Sequence, residues 1–226
     1  MKEKRKNLWA AGIALLAAFA CWTVLIRFAD VRPAGPNGST VGLASFNVWF
    51  HGMTGVHMTI YTVTDWLGLV PIAVCLGFAV LGFCQMIGRR GLLKVDRDLL
   101  LLGGYYILVI FAYLFFEMVP INYRPVLIRG VLEASYPSST TLLVLSVMPT
   151  LKYQVDRRCG MPVIRRIVTV CTVLFSSFMV IGRLFSGVHW ATDIAGSVFL
   201  SPGLFMIYRH AVEWTDRVRK DPAERS

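Results

Sequence analysis

Charge is scarce in this chain, and negative charge is scarcer still. Asp, Glu, Lys and Arg make up 16% of its 226 residues, where an ordinary soluble domain carries about 25%. The 13 acidic residues are outnumbered by 23 basic ones, for a formal net charge of +10. Cysteine is limited to 5 residues. Cys21, Cys75, Cys84 and Cys171 lie in apolar runs, Cys159 lies in a basic stretch, and no C-x-x-C pair occurs. That pattern excludes a disulfide framework and offers no zinc-type cluster, so the cysteines read as small apolar packers. There is no low-complexity linker and no internal repeat, which leaves a single domain over residues 1–226. The basic residues are scattered along the chain and form no continuous stripe, so the positive charge does not point to nucleic acid.

Apolar residues are what the chain has, at 56% with a mean hydropathy of +0.61, and they come in blocks. Five uncharged or nearly uncharged runs are long enough to cross a bilayer core of about 30 Å, which takes about 20 helical residues. They fall at about 8–28, 66–87, 99–119, 162–182 and 190–210. A sixth, at about 138–155, opens in small hydroxyl residues and closes at Lys152, which can snorkel to the interface. Counting it as a span sorts the basic residues. With six spans and a cytoplasmic N-terminus, only Arg27, Arg32, Arg124, Arg129 and Arg183 fall outside, and every other Lys and Arg falls inside, the bias the positive-inside rule requires. The expected fold class is therefore all-α: a polytopic membrane protein with six transmembrane helices and both termini cytoplasmic. Ala18-Phe19-Ala20 resembles a signal-peptide cleavage site, but the apolar run continues to Ile26 and reads as a retained helix.

Between the first two spans, Val41–Asp65 mixes aromatics with polar residues and reads as one or two short helices lying on the outer interface. His51 and His57 are placed there as interfacial side chains, and His210 at the opposite end as a headgroup contact.

The polar residues that interrupt this apolar background carry the chemistry, because ionisable groups at membrane depth are costly. Arg183, His189 and Asp193 stand within R-L-F-S-G-V-H-W-A-T-D at the junction of the last two spans. A guanidinium holds phosphate oxygens through paired hydrogen bonds, an imidazole can attack phosphorus, and a carboxylate one helical turn further can orient the imidazole. Arg124, held extended by Pro125, and the run Tyr136-Pro137-Ser138-Ser139-Thr140-Thr141 fall on the same predicted face. The Pro-Ser start predicts a helix N-terminus, a favourable place for an anion. The sequence thus assigns His189, Asp193 and Arg183 to catalysis, and Arg124, Arg183, Ser138, Ser139 and Thr140 to phosphate binding.

In these positions the chain resembles the type 2 phosphatidic acid phosphatase family, the membrane relatives of vanadium haloperoxidases. The family's motifs are K-x-x-x-x-x-x-R-P, P-S-G-H and S-R-x-x-x-x-x-H-x-x-x-D. The first is matched at Arg124 and Pro125, the second at Pro137 and Ser138, and the third at Arg183, His189 and Asp193. Glu117 stands in place of the lysine, Ser139 and Thr140 in place of Gly-His, and Gly182 in place of the third motif's serine. The resemblance implies six helices with an outward-facing site and a two-step phosphoryl transfer through a phosphohistidine on His189, with no metal or other cofactor. The implied partners are a phosphorylated lipid and the bilayer, in a bacterial plasma membrane. The histidine missing at Thr140 is, in the family, the acid that protonates the leaving group. Its absence favours a lipid diphosphate, whose leaving group is itself a phosphate, over a phosphatidic-acid-like monoester. Glu117 and Glu133 are the candidate substitute proton donors, with an ion pair of Glu117 to Arg124 or Arg183 as the alternative. A family relative that binds phosphorylated lipid without hydrolysing it is the competing function.

Overall fold

The structure is a computed structural model that describes the backbone of residues 2–220 and the side chains of residues 7–219. The basic side chains of Lys2, Lys4, Arg5, Lys6, Lys220 and Arg225, which contribute to the charge asymmetry, lie outside the described set. Among the described residues eight α-helices follow one another: α1 Lys2–Phe28, α2 Ala44–Thr54, α3 Met58–Leu67, α4 Leu69–Gly88, α5 Arg97–Met118, α6 Ser139–Arg158, α7 Pro162–Phe185 and α8 Ala191–Lys220. Among the described residues the only strand-like pairings are isolated bridges in loops, such as Tyr123 with Ala134 and Ile128 with Val131.

Among the described residues, 5 helical stretches can cross a membrane by length and composition: Asn7–Phe28, Met58–Gly88, Arg97–Met118, Pro162–Phe185 and Ala191–Arg219. The second starts earlier than the apolar pattern indicates. Gly68 keeps helical dihedrals, φ −58° and ψ −17°, so α3 runs on into α4. Only α2 remains as a separate short helix of the segment expected at the interface. The expected sixth span forms a helix of the right length, α6, but it falls short of the other five in apolar content. Its position explains the shortfall. Thr141, Ser146, Thr150 and Gln154 are all at most 1% exposed, enclosed by α4, α5, α7 and α8. A helix surrounded by other helices can carry polar groups provided they find partners within the bundle. Tyr106 Oη sits 2.7 Å from Thr150 Oγ1, and Gln154 Nε2 donates to Tyr208 Oη at 2.7 Å.

The outward faces are the reverse. Leu76, Val80, Phe83, Phe111, Leu174 and Phe178 are all exposed, as a lipid-facing surface requires. The interior is built from Leu99, Leu102, Tyr105 and Val109 of α5, Leu142 of α6, and Leu200, Leu204, Tyr208 and Val212 of α8. The α1–α8 pair is the most extensive packing in the molecule. It depends on small residues, since a Cβ on Gly12 would stand 3.3 Å from the Gly203 carbonyl. Trp9 stacks near His210, with ring centroids 5.3 Å apart. The helices α1 and α8 therefore place the two described chain ends together, away from the α7–α8 junction. That far end is tied by ion pairs: Arg158 Nη1 to buried Asp98 at 2.7 Å, and Arg157 Nη1 to Asp216 at 2.8 Å.

Candidate active site

At the other end, the C-terminus of α7 and the N-terminus of α8 are joined by Ser186–Trp190. This loop is held against the α2–α3 junction. The His57 amide donates to Ser186 O at 2.9 Å, and His51 Nε2 lies 3.0 Å from Gly187 O. Gly187 has φ +70°, and a Cβ there would collide with the Gly55 carbonyl, so only glycine fits this turn. His51 is thus a contact of this loop, its ring 5.4 Å from that of Trp190. His57 bonds within its own turn, to Thr54 O.

His189 is 3% exposed. Its Nδ1 is 3.1 Å from the Ser135 carbonyl and 3.2 Å from Ser135 Oγ. A carbonyl can only accept, so the proton sits on Nδ1 and the lone pair on Nε2. Arg183 Nη2 donates toward that Nε2 at 3.2 Å. Burial, then the positive charges of Arg124 and Arg183, hold the imidazole pKa well below its ordinary value of 6.5. The ring is neutral at neutral pH, the form a nucleophile needs.

Asp193, in the first turn of α8, accepts from Trp190 N at 3.0 Å, from Asn122 Nδ2 at 3.2 Å and from the Ser135 hydroxyl. Its Oδ2 is 4.0 Å from His189 Nδ1, beyond hydrogen-bonding reach. The carboxylate thus acts on the imidazole through Ser135, which occupies the position between them. Asn122 is itself fixed by the Gly42 amide, which donates to its Oδ1 at 3.0 Å. Neither Ser135 nor Asn122 stood out as a site residue in the sequence. Asn122 lies two residues before Arg124 in N-Y-R-P, a cue without a role until the fold is seen.

Arg183 is 1% exposed. Its Nη1 lies 3.5 Å from Thr64 Oγ1 and 3.7 Å from Asp65 Oδ1, and its guanidinium carbon stands 5.0 Å from the centre of the Tyr61 ring. All three partners come from α3, and Gly182 lets that helix approach, since a Cβ there would stand 2.7 Å from Thr64 Cγ2. A glycine where the resembled motif has serine has this packing consequence.

In front of His189 is a cavity of about 200 Å³ lined by Tyr113, Phe116, Glu117, Arg124, Glu133, Ala134, Ser135, Tyr136, Pro137, Ser139 and His189. Arg124 is 8% exposed; its Nε stands 3.0 Å from Glu133 Oε2 as an ion pair, and its Nη1 has no hydrogen-bond partner. Arg183 Nε is likewise unpartnered. Buried donors without acceptors are costly, at about 1–3 kcal/mol each or more for charged groups, and they call for an anion.

The sequence-derived residues divide around this cavity. Arg124, Ser139 and His189 line it; Arg183 does not, but donates toward His189 Nε2, and Asp193 accepts from the lining residue Ser135. Ser138 turns inward, its Oγ 3.1 Å from Thr141 Oγ1 and its carbonyl accepting from Ser197. Thr140 lines a second, apolar groove of about 240 Å³ with Leu69, Ile72, Val109, Ile110, Leu142 and Leu143, adjoining the first at Tyr113 and Ser139. Glu117 lines the polar cavity, but the carboxylate paired with Arg124 is that of Glu133, and Asp65 is the one nearest Arg183. The expected Glu117 ion pair is replaced because the Tyr123–Ala134 bridge sets Glu133 beside Arg124, where the Arg124 amide also donates to the Glu133 carbonyl at 3.0 Å. Among the described residues no group of three or more His, Cys, Asp or Glu side chains is arranged to hold a metal ion.

A helical membrane protein with a buried histidine between two arginines at one end of its bundle is the class that fold and site define. The likeness to solved structures is to the crystal structure of the first transmembrane PAP2 type phosphatidylglycerolphosphate phosphatase from Bacillus subtilis. It covers 89% of this chain and 96% of that one, at 16% identity and a TM-score of 0.59. At that identity the likeness is one of fold: the chain has the helical arrangement of a PAP2-type membrane phosphatase. No family model and no curated protein sequence matches the chain.

Proposed function

We propose that this chain is an integral-membrane lipid phosphate phosphatase, acting on a lipid diphosphate or a phosphatidic-acid-like phosphomonoester. The observation that carries the reading is that His189, its Nε2 lone pair set by Ser135 and met by Arg183, lines the same cavity as Arg124, a buried arginine whose Nη1 has no hydrogen-bond partner. His189 Nε2 attacks phosphorus and a phosphohistidine forms as the bond to the leaving oxygen breaks, releasing a lipid monophosphate from a diphosphate or a lipid alcohol, after protonation, from a monoester; water then attacks phosphorus, releasing inorganic phosphate and restoring the imidazole. Arg124 and Arg183, with Ser139 at the start of α6, hold the equatorial oxygens where transition-state charge spreads. Asp193 stabilises the site through Ser135 and Asn122. The adjoining apolar groove supports a lipid substrate, since it offers a chain-sized surface beside the head-group cavity.

A phosphate leaving group departs without a proton, whereas an alkoxide needs one. Thr140 carries no acid to supply it, and Glu117 and Glu133 are the carboxyl groups at the cavity. In the bilayer, α6 is the sixth span, enclosed by the other helices, both termini are cytoplasmic, and the site opens on the outer face of a bacterial plasma membrane. The basic residues flanking the far end support this orientation.

Phosphate release from a panel of lipid phosphates by the wild type and His189→Ala tests the reading, together with trapping of labelled phosphate on residue 189. Release that depends on His189, with a labelled histidine, is the expected result. The substitutions at Glu117 and Thr140 favour a second reading, a protein that binds phosphorylated lipid without hydrolysis. Saturable lipid binding with no labelled histidine would establish that reading in place of the first.

A further inference from the structure

The cavity in front of His189 holds charges of both signs. Arg124 and His189 line it, and so do the acidic residues Glu117 and Glu133. The resembled motif has a lysine where this chain has Glu117, so the cavity lacks a positive charge and carries a negative one instead. A ligand bearing only negative charge would be attracted to the arginines and repelled by these carboxylates.

The geometry at Arg124 sharpens the point. Glu133 Oε2 forms an ion pair with its Nε at 3.0 Å, while Nη1 is buried without a hydrogen-bond partner on a residue that lines the cavity. A phosphate bound at Nη1 therefore lies next to the Glu133 carboxylate on the same guanidinium. Two anions flank the Arg124 guanidinium, Glu117 adds a third negative group, and the second arginine, Arg183, already faces the Asp65 carboxylate at 3.7 Å. Balance requires one more positive charge between the phosphate and the carboxylates, and it has to arrive with the ligand.

We propose that the cavity recognises a zwitterionic head group, a phosphate joined by a short linker to an ammonium, with the phosphate on Arg124 and His189 and the ammonium on Glu117 and Glu133. This rests on the phosphatase reading and names the substrate class for it: a lipid monophosphate with an amino group near its phosphoester. Each carboxylate then forms a charge-assisted hydrogen bond with the ammonium, and Tyr113 lines the same space. A carboxylate that seats an ammonium is not acting as a proton donor, so the departing alkoxide takes its proton from the neighbouring ammonium, and binding of an unreacted analogue separates seating from proton donation.

The test uses the full chain in detergent micelles, with His189→Asn to prevent turnover, and two soluble phosphomonoesters of similar size, 2-aminoethyl phosphate and ethyl phosphate. Calorimetry is expected to give about tenfold tighter binding of the aminoethyl ester, or about 1.4 kcal/mol. Glu117→Gln combined with Glu133→Gln is expected to erase that preference by weakening the aminoethyl ester and strengthening ethyl phosphate. Equal or tighter binding of ethyl phosphate, or a preference that survives both substitutions, overturns the proposal. So does tighter binding of methyl diphosphate with magnesium, which would make a metal ion the missing positive charge. Indifference between the two esters, with phosphate still released from lipids by the wild type, leaves the phosphatase reading standing. Binding of neither ester, with no phosphate released from any lipid, removes both.

Discussion

At the scale of single residues, the site is organised by a serine that bonds through both its backbone and its side chain. The Ser135 carbonyl sets the tautomer of His189, and its hydroxyl connects Asp193 to the imidazole. Ser135→Ala keeps the carbonyl and removes the hydroxyl. It is expected to raise the barrier to kcat by about 1.5–3 kcal/mol, the worth of a hydrogen bond to a charged group, and so to slow turnover by about 10- to 150-fold, with KM little changed, as steady-state kinetics would show. The neutral His189 makes a second prediction. Its pKa is depressed, so lowering the pH through 6.5 does not yet protonate it, and kcat/KM should stay flat there and fall only at lower pH. An acid limb centred at or above 6.5 would contradict the buried, arginine-flanked imidazole. Arg183, His189 and Asp193 were legible in the sequence because functional spacing on one short stretch exposes them. Ser135 was not, because a backbone carbonyl leaves no signature in residue type.

At the scale of elements, a short stretch of α2 and α3 governs a loop more than a hundred residues further along the chain. The turn at Gly187 fits beneath Gly55 only without a side chain and only with φ +70°. Gly187→Ala combines a collision with backbone and a positive φ, a strain of about 1–3 kcal/mol. It is expected to displace the Ser186–Trp190 loop, abolishing phosphohistidine formation while leaving helical circular dichroism intact. Retained labelling would show that the α2–α3 junction does not position His189. The long apolar helices were legible from their runs. The joining of α3 to α4 was not, because Gly68 marks a break in sequence yet keeps helical dihedrals, and neighbouring packing decides which a glycine does. Glu133 shows the same limit: its pairing with Arg124 follows from the register of the loop after α5, which no periodicity encodes.

At the scale of the whole molecule, α6 is the most polar of the long helices and one of the most enclosed. Its length matches a membrane crossing, and its buried Thr150 and Gln154 side chains are partnered by Tyr106 of α5 and Tyr208 of α8. The orientation proposed above can be tested with thiols. Cys159, between α6 and α7, lies at the end away from the site, whereas Val131, in the loop after α5, is 58% exposed at the site end. A membrane-impermeant maleimide is expected to label Cys159 only in inside-out vesicles and a Val131→Cys variant in right-side-out ones. Labelling of both positions from one side would leave α6 short of a crossing.

The sequence by itself determined the membrane class, the five apolar helices and the three segments that carry Arg124, the Pro137–Thr141 run and the Arg183–Asp193 stretch. These are set by composition and by local spacing, which act through solvation and helix periodicity over a few turns. The tertiary structure alone decided that Ser135 stands between His189 and Asp193, that Glu133 pairs with Arg124, and that α3 backs Arg183. Each of these contacts joins residues far apart in the chain, and their energies depend on distance and burial, which take values only once the helices have packed.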